Sequence, residues 1–201
     1  AEIALVAVDD PSIAQIGRWP WPRGVQGELI RRVASGSPKV IGVNVFWLEP
    51  DSNPGLETLA EMKERFNALL SAKRGSLNGS LKKALEDFGR LFDEASVQLD
   101  QDNQLADVLS VTPRVALPML FGEVKPLAEE GDELLARMPY RIALAEGSGG
   151  GVKAGYTPAL PLSNFSSDVS GMGFSNVVPD VDGGVRAQPL VFNYRGQNFP
   201  A

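Results

Sequence analysis

Apolar residues along the chain form continuous runs in some segments and helical stripes in others. Residues 3–8 are a continuous apolar run that ends at Asp9-Asp10-Pro11, which predicts a buried strand followed by a turn. Apolar residues recur at helical spacing over 24–34, and residues 39–47 are rich in β-branched side chains, which predicts a helix and a second strand. Because a strand, a helix and a strand joined by tight connections form a βαβ unit, we expect the two strands to be parallel.

The pattern changes to two long helical stripes between residues 52 and 100. Apolar positions recur on one face over 56–70 and again over 81–99, and glycines at 75 and 79 separate the two stripes. Charged pairs such as Lys82 and Glu86 occupy the other face at i,i+4 spacing. We therefore predict an antiparallel helical hairpin, inserted over about 52–100 and attached outside the central core of a single domain spanning 1–201. The wide apolar stripe is typical of core packing, and a surface for a partner helix is the alternative.

The remaining segments complete an α/β pattern. A short helix is predicted to begin at Asp102, a third strand at 114–121, and an antiparallel hairpin over 172–194 around an Asp/Gly loop. The acidic segment 126–139 is predicted to be irregular or helical, and the glycine-rich segment 147–155 to be a flexible connection. The expected fold is an α/β sandwich with a mixed sheet, in which parallel strands precede a C-terminal antiparallel hairpin, and with an inserted helical hairpin.

Composition narrows the function classes. The chain has no cysteine and no histidine, so thiolate nucleophiles, Ser-His pairs and most zinc sites are excluded, and we predict no cofactor and no metal site. The net charge of −6 arises from 19 basic and 25 acidic residues, which argues against a nucleic-acid partner. No apolar run approaches the length of a membrane span. The chain starts inside a strand-like run, so we expect a piece of a longer protein.

Four polar side chains follow the first two predicted strands. Asp9 and Asp10 come after the first strand, whereas Asn44 lies near the end of the second strand and Asp51 beyond it. Ligands of open α/β sheets bind at the carboxyl ends of strands, so these groups could hold a cation or a polar ligand, or one carboxylate could act as a general base. The alternative is that one carboxylate caps the following turn and the other is solvated.

Two tryptophans and two arginines are concentrated in the segment Gly17-Arg18-Trp19-Pro20-Trp21-Pro22-Arg23. Trp19, Trp21 and Arg23 could build a stacking pocket or a protein interface, with the prolines fixing the backbone. Alternatively, the rings complete the core at the edge of the sheet.

An Asp/Gly segment near the C-terminus resembles the start of a calcium loop. Asp180, Asp182 and Gly183 have the required spacing, but residues 183–198 contain no acidic side chain to complete the coordination. A turn is the sufficient explanation, and we treat these residues, together with Arg186, as a structural motif.

Several ordered blocks resemble the second type of CHASE domain. They are Val6-Ala7-Val8-Asp9-Asp10-x-Ser12-Ile13, the Trp/Pro segment at 17–23, Leu29-Ile30, Val40-Ile41-Gly42-Val43-Asn44-Val45-Phe46, Glu49-Pro50-Asp51, Asp102-x-x-Leu105-Ala106, Arg114-Val115-Ala116-Leu117-Pro118, Gly171-x-Gly173-Phe174-x-Asn176-Val177 and Pro179-Asp180-x-Asp182-Gly183-x-x-Arg186-x-x-Pro189-Leu190. The blocks extend over nearly the whole chain. The family usually has Asp at the position of Asn44.

The resemblance implies an extracytoplasmic sensor domain of a bacterial receptor. Such a domain has a transmembrane helix before it and usually three after it. It controls an adenylate cyclase, a diguanylate cyclase, a histidine kinase or a Ser/Thr kinase, and we expect an adenylate cyclase or a histidine kinase here. The implied partners are an unknown small-molecule or ion ligand and a second copy of the receptor, as a homodimer.

Three functions are consistent with these observations. The first is a sensory input domain without chemistry of its own, at whose strand ends Asp9, Asp10, Asn44 and Asp51 meet a ligand. The second is a carboxylate-based hydrolase of Rossmann-like architecture, and the third is a dimerisation scaffold that uses the helical hairpin and binds no ligand.

Overall fold

The computed structural model describes residues 2–73, 78–122, 124, 136, 140–144 and 152–201. The acidic segment predicted at 126–139, apart from residue 136, and residues 147–151 of the glycine-rich segment lie outside this part of the chain. The chain divides into two compact units, of which unit 1 comprises Ala1–Leu29 and Asp51–Leu105, and unit 2 comprises Ile30–Pro50 and Ala106–Ala201.

The described residues form both helices and strands. In chain order they are α1 (Asp10–Ile16), α2 (Arg23–Ser35), β1 (Ile41–Gly42), α3 (Pro54–Lys73), α4 (Gly79–Leu99), α5 (Gln101–Val111), β2 (Val115–Gly122), β3 (Lys153–Ala154), β4 (Tyr156–Ala159), α6 (Ser163–Ser166), β5 (Gly171–Phe174), β6 (Val191–Tyr194) and β7 (Gln197–Pro200).

Unit 1 contains the predicted antiparallel helical hairpin, formed by α3 and α4. The ring of Phe66 on α3 lies 5.5 Å from that of Phe88 and 5.4 Å from that of Phe92 on α4, measured between centroids. Gly89 lets the helices approach at this level, because a Cβ there would lie 3.3 Å from Cε1 of Phe66. The Asn78 side chain caps α4 by accepting a hydrogen bond from the backbone N–H of Leu81 at 2.8 Å. The hairpin prediction is therefore confirmed.

Unit 2 holds the sheets. The strand β2 pairs with β1 and with β5 in parallel and with β4 in the antiparallel direction, while β6 pairs with β3 in parallel and with β7 antiparallel. The face of β2 formed by residues 115, 117, 119 and 121 is buried and the opposite face is mostly half-buried, which explains its almost uninterrupted apolar sequence. Helices combined with mixed sheets confirm the predicted α/β class.

The core of unit 2 is aromatic. One cluster of this core consists of Met119, Phe121, Leu160, Phe174, Phe192, Tyr194 and Phe199. Asn176 anchors this core, because its side chain accepts a hydrogen bond from the backbone N–H of Phe121 at 2.8 Å and donates one to the carbonyl of the same residue at 2.7 Å. The side-chain amide thus substitutes for a neighbouring strand at the end of β5.

The first predicted strand is wrong. Residues 3–8 form no strand, and Ile3 and Leu5 are 92% and 90% exposed. An apolar run gives only a local preference for extended backbone, whereas a strand also requires a hydrogen-bonded neighbour that the local pattern does not specify. The second strand is shorter than predicted, because only Ile41–Gly42 is assigned to β1. The backbone N–H of Ile41 donates to the carbonyl of Arg114 at 2.9 Å, and that of Val43 donates to the carbonyl of Ala116 at 3.0 Å.

The predicted hairpin over 172–194 is also wrong. Its first half, β5, pairs in parallel with β2, and its second half, β6, pairs with β7, so the hairpin lies at 191–200. Arg195 and Gly196 form its turn with φ of +51° and +78°, the left-handed conformation that two-residue hairpin loops require. The Asp/Gly loop at 180–184 is a local turn, and the chain does not enter a strand until residue 191.

Candidate functional site

Unit 1 contains a cleft of about 400 Å³ beside the Trp/Pro segment. Its lining residues are Pro20, Trp21, Pro22, Arg23, Gln26, Asp51, Ser52, Asn53 and Gln101. We call it the Trp21 cleft. Three chain segments meet there: the start of α2, the residues before α3, and the start of α5.

Trp21 forms a fixed wall of the cleft. Its side chain is only 6% exposed, and its indole N–H donates a hydrogen bond of 2.7 Å to the carbonyl of Gly17. The ring of Trp19 packs edge-on against it with a centroid distance of 5.4 Å. The buried amide of Gln26 donates to the carbonyl of Trp21, so both the ring and the backbone are held in place.

A partly buried ion pair joins the first and third segments. Nε of Arg23 lies 3.2 Å from Oδ1 of Asp102, and the two side chains are 15% and 16% exposed. The second carboxylate oxygen of Asp102 accepts a hydrogen bond of 2.8 Å from the backbone N–H of Asp51. Oε1 of Gln101 accepts one of 2.9 Å from the backbone N–H of Gly24. Asp102 therefore ties the entrance of the helical hairpin to the start of α2.

Asn53 closes the base of the hairpin. Its side-chain amide donates a hydrogen bond of 2.9 Å to the carbonyl of Leu99 at the end of α4, and its Oδ1 accepts one of 3.0 Å from the backbone N–H of Gly55 at the start of α3. The two ends of the hairpin are thus joined directly at the wall of the cleft.

The chemistry of the cleft suits a small polar molecule with an apolar face. An indole and two prolines offer flat apolar surface, and a guanidinium, a carboxylate, a hydroxyl and three amides surround it. Pockets of this size that combine an apolar wall with a few convergent polar groups are typical of small-molecule sites.

The structure brings three of the predicted site residues to the cleft and places Trp19 against one of them. Trp21, Arg23 and Asp51 line it, and the carboxylate of Asp51 is exposed. Sequence reasoning missed Gln26, Gln101 and the role of Asp102. Asp102 belongs to one of the sequence blocks that resemble the CHASE family, and its place in that block was the one indication in the sequence that it could have a role.

Asp9 and Asp10 do not line the Trp21 cleft. The strand that was expected to bring them to a sheet rim is absent, and Asp9 instead caps α1, accepting a 3.0 Å hydrogen bond from the backbone N–H of Ser12. Hydrogen bonds from Ser12, chiefly from its backbone, lower the pKa of Asp9. Asp10 is exposed in the first turn of α1, and Asn44 is exposed within unit 2. We expected these residues to converge because a strand at 3–8 would bring Asp9 and Asp10 to the edge of the sheet, and the structure has no strand there.

The Asp/Gly segment is a loop closed by its own charges. The guanidinium of Arg186 binds both carboxylate oxygens of Asp182 at 2.8 and 2.7 Å and reaches Asp180 at 2.9 Å. This pairing lowers the pKa of Asp182 to about 2. Gly183 takes the left-handed φ of +80° that the turn requires. The carboxylates that a calcium ion would use are therefore engaged with an arginine.

The described residues hold neither an acidic metal cluster nor a membrane-spanning helix. Within residues 2–73, 78–122 and 152–201 and the short pieces between them, no three acidic side chains cluster closely enough to hold a metal ion. No helix in the same part of the chain combines the length and apolarity needed to cross a membrane.

Comparison with known proteins connects this architecture to a family. The family model for the CHASE2 domain matches residues 1–201, the whole chain. Comparison with curated proteins and with solved structures found no significant match. The family is one of extracytoplasmic sensor domains, sensory and not catalytic in role. Because its model matches the entire sequence, the chain belongs to the CHASE2 domain family.

Proposed function

We propose that the chain is the extracytoplasmic input domain of a bacterial transmembrane receptor, which passes a stimulus to a cytoplasmic adenylate cyclase or histidine kinase. The observation that carries this proposal is the family match over all 201 residues. The absence of cysteine and histidine from the sequence supports a role in binding rather than catalysis.

The proposed stimulus is a small polar ligand bound in the Trp21 cleft. Support comes from the fixed indole wall of Trp21 and from the polar groups around it. Several of these groups, including Asp51 and Asn53, belong to the segment that leads into the helical hairpin. A ligand that contacts them can prefer one position of that segment over another, and such a preference is what shifts a two-state receptor.

The carboxylate-based hydrolase receives no support from the geometry. A general base or acid needs a carboxyl group poised near the operating pH. Asp9 is engaged in capping α1, and its pKa is lowered rather than raised.

The binding proposal is tested by a thermal-shift screen of the chain with small polar metabolites and divalent ions. Any hit is then measured by calorimetry on Asp51→Ala, which removes a lining carboxylate but keeps the backbone N–H that Asp102 accepts from. The matched control is Asp10→Ala, which removes an exposed carboxylate outside the cleft. We expect Asp51→Ala to weaken binding about 10-fold or more and Asp10→Ala to leave it unchanged. The reverse result places the ligand elsewhere.

The receptor proposal has a separate test. In the full-length gene, alkaline phosphatase fused at the position of this chain should be active in the bacterium, because that enzyme requires an extracytoplasmic compartment to form its disulfides. A β-galactosidase fusion at the same position should be inactive. Activity of only the β-galactosidase fusion would contradict an extracytoplasmic location.

A further inference from the structure

The helical hairpin of unit 1 has two flanks of different character. Lys63 on α3 and Asp93 on α4 form an ion pair of 2.5 Å across one flank. Phe66 and Gly89 mark the line where the helices meet, since a Cβ on Gly89 would lie 3.3 Å from the Phe66 ring. In an α-helix each residue turns the side-chain direction by about 100°. These contacts therefore fix which residues lie on the flank opposite the ion pair.

The opposite flank exposes large apolar side chains on both helices, and on α3 Arg65 lies beside them. On α3, Met62 lies four residues before Phe66 and on the opposite side of the contact line from Lys63. Leu69 lies seven residues after Met62 and therefore on the same side as Met62. On α4, Phe88 is turned about 100° from Gly89, away from Asp93. Three further positions complete the arrangement: Leu81, Ala84 and Leu91 fall on the same side of α4 at helical spacing.

We call the surface formed by Met62, Leu69, Leu81, Phe88 and Leu91 the apolar flank. Its five large side chains are between 47% and 67% exposed, although each is of a type that cores bury. On α4 the positions from Leu81 round to Leu91 include no charged residue, whereas Arg90, Glu94 and Asp93 face other directions. A solvated helix normally carries charges over such a wide arc.

We propose that the apolar flank docks against the same flank of a second copy of this chain, so that two hairpins form a four-helix bundle. Exposed pairs recur seven residues apart on both helices, Met62 with Leu69 and Leu81 with Phe88, which is the repeat of helices that pack side by side. On α4 this stripe carries no charged residue, so it matches the same stripe of another copy, and a two-fold axis supplies that match from a single sequence.

The exposed area fits a weak dimer. About half the surface of five large side chains amounts to roughly 500 Å² per copy, or about 1,000 Å² for a pair. Specific interfaces begin at about 1,200 Å², slightly above this area. We therefore expect a concentration-dependent dimer with a dissociation constant in the micromolar range. This inference concerns a surface distinct from the Trp21 cleft and does not depend on the proposed ligand.

The test is the oligomeric state of the whole chain, measured by sedimentation equilibrium up to about 200 μM. Leu91→Glu and Leu69→Glu place a charge on α4 and on α3 of the apolar flank, and each appears twice in a symmetric interface. We expect either substitution to weaken dimerisation at least about 100-fold. The control is Val97→Glu, which alters an equally exposed apolar residue of α4 four positions after Asp93, on the charged flank. It should dimerise like the unaltered chain.

Circular dichroism must show that each variant keeps its helices. Because one variant lies on α3 and the other on α4, the test remains decisive if one of them misfolds. A chain that stays monomeric over the whole concentration range overturns the proposal. A dimer that resists both flank substitutions overturns it, and so does one that Val97→Glu dissociates equally.

Discussion

Replacing Trp21 should destabilise unit 1 far more than replacing the tryptophan beside it. The indole of Trp21 is almost fully buried and donates a hydrogen bond to Gly17, whereas Trp19 is half-buried and packs against it from one side. Truncating a buried tryptophan to alanine costs about 3–5 kcal/mol, and this includes the loss of the edge-on contact between the rings. Trp19→Ala should cost about 1–2 kcal/mol, because less of its area leaves water on folding.

Two measurements check this expectation. For a chain of this length a loss of about 1 kcal/mol lowers the melting temperature by roughly 2–4 °C, so Trp21→Ala should melt about 6–20 °C below the unaltered chain. Hydrogen exchange should place the loss in unit 1, with faster exchange in the first turns of α2 than in β2. Trp21→Phe keeps an aromatic ring but not the N–H, and should cost about 1–2 kcal/mol. A Trp21→Ala chain that melts within about a degree of the unaltered one, or no lower than Trp19→Ala, would refute the reasoning.

Two further predictions concern unit 2. The carboxyl of Asp182 should titrate with a pKa of about 2 by NMR, and Arg186→Ala should return it toward 3.8, because the guanidinium bond is the main cause of the shift. Since the pKa of Asp182 is lower in the folded chain than in the unfolded one, the stabilisation is complete above pH 3.8 and is lost as the pH falls through about 2. An unchanged titration of Asp182 in Arg186→Ala would contradict the assignment of the shift to the guanidinium. Gly155→Ala should destabilise the chain by about 1–3 kcal/mol, since the new Cβ would lie 2.7 Å from Cγ of the buried Phe121. The matched Gly171→Ala, whose nearest neighbour is 3.8 Å away, should be neutral in the same denaturant titration, and equal losses would show that the close contact is not the cause.

The sequence predicted the helices better than the strands. The helices α2, α3, α4 and α5 lie within a few residues of their expected positions, because a helix satisfies its own hydrogen bonds and its apolar stripe is local. Residues 3–8 have as strong an apolar pattern as β2, yet only β2 has hydrogen-bonded neighbours on both sides. Strand pairing depends on residues distant in sequence, and no local pattern supplies it.

The candidate site residues that the sequence indicated in advance lie in a segment whose backbone is restricted by nearby prolines. The two prolines around Trp21 and the aromatic cluster marked that part of the cleft in advance. The contribution of Asp102 was not predictable from spacing, since it depends on contacts with Arg23 and Asp51, which are 79 and 51 residues away in sequence. Asp9 and Asp10 were misplaced for the same reason as the strand before them.

The hydrogen bonds of Asp102 hold the helical hairpin at its base, and this point would be the pivot of any rotation of the hairpin. From that base α3 extends about 30 Å at ~1.5 Å per residue over its 20 residues. A tilt of about 5° at the pivot moves the far end of α3 by roughly 2.6 Å over this length. If a molecule in the cleft turned the hairpin about this pivot, a change of a few tenths of an ångström at the groups bonded to Asp102 would become a displacement the size of a hydrogen bond at the far end of α3.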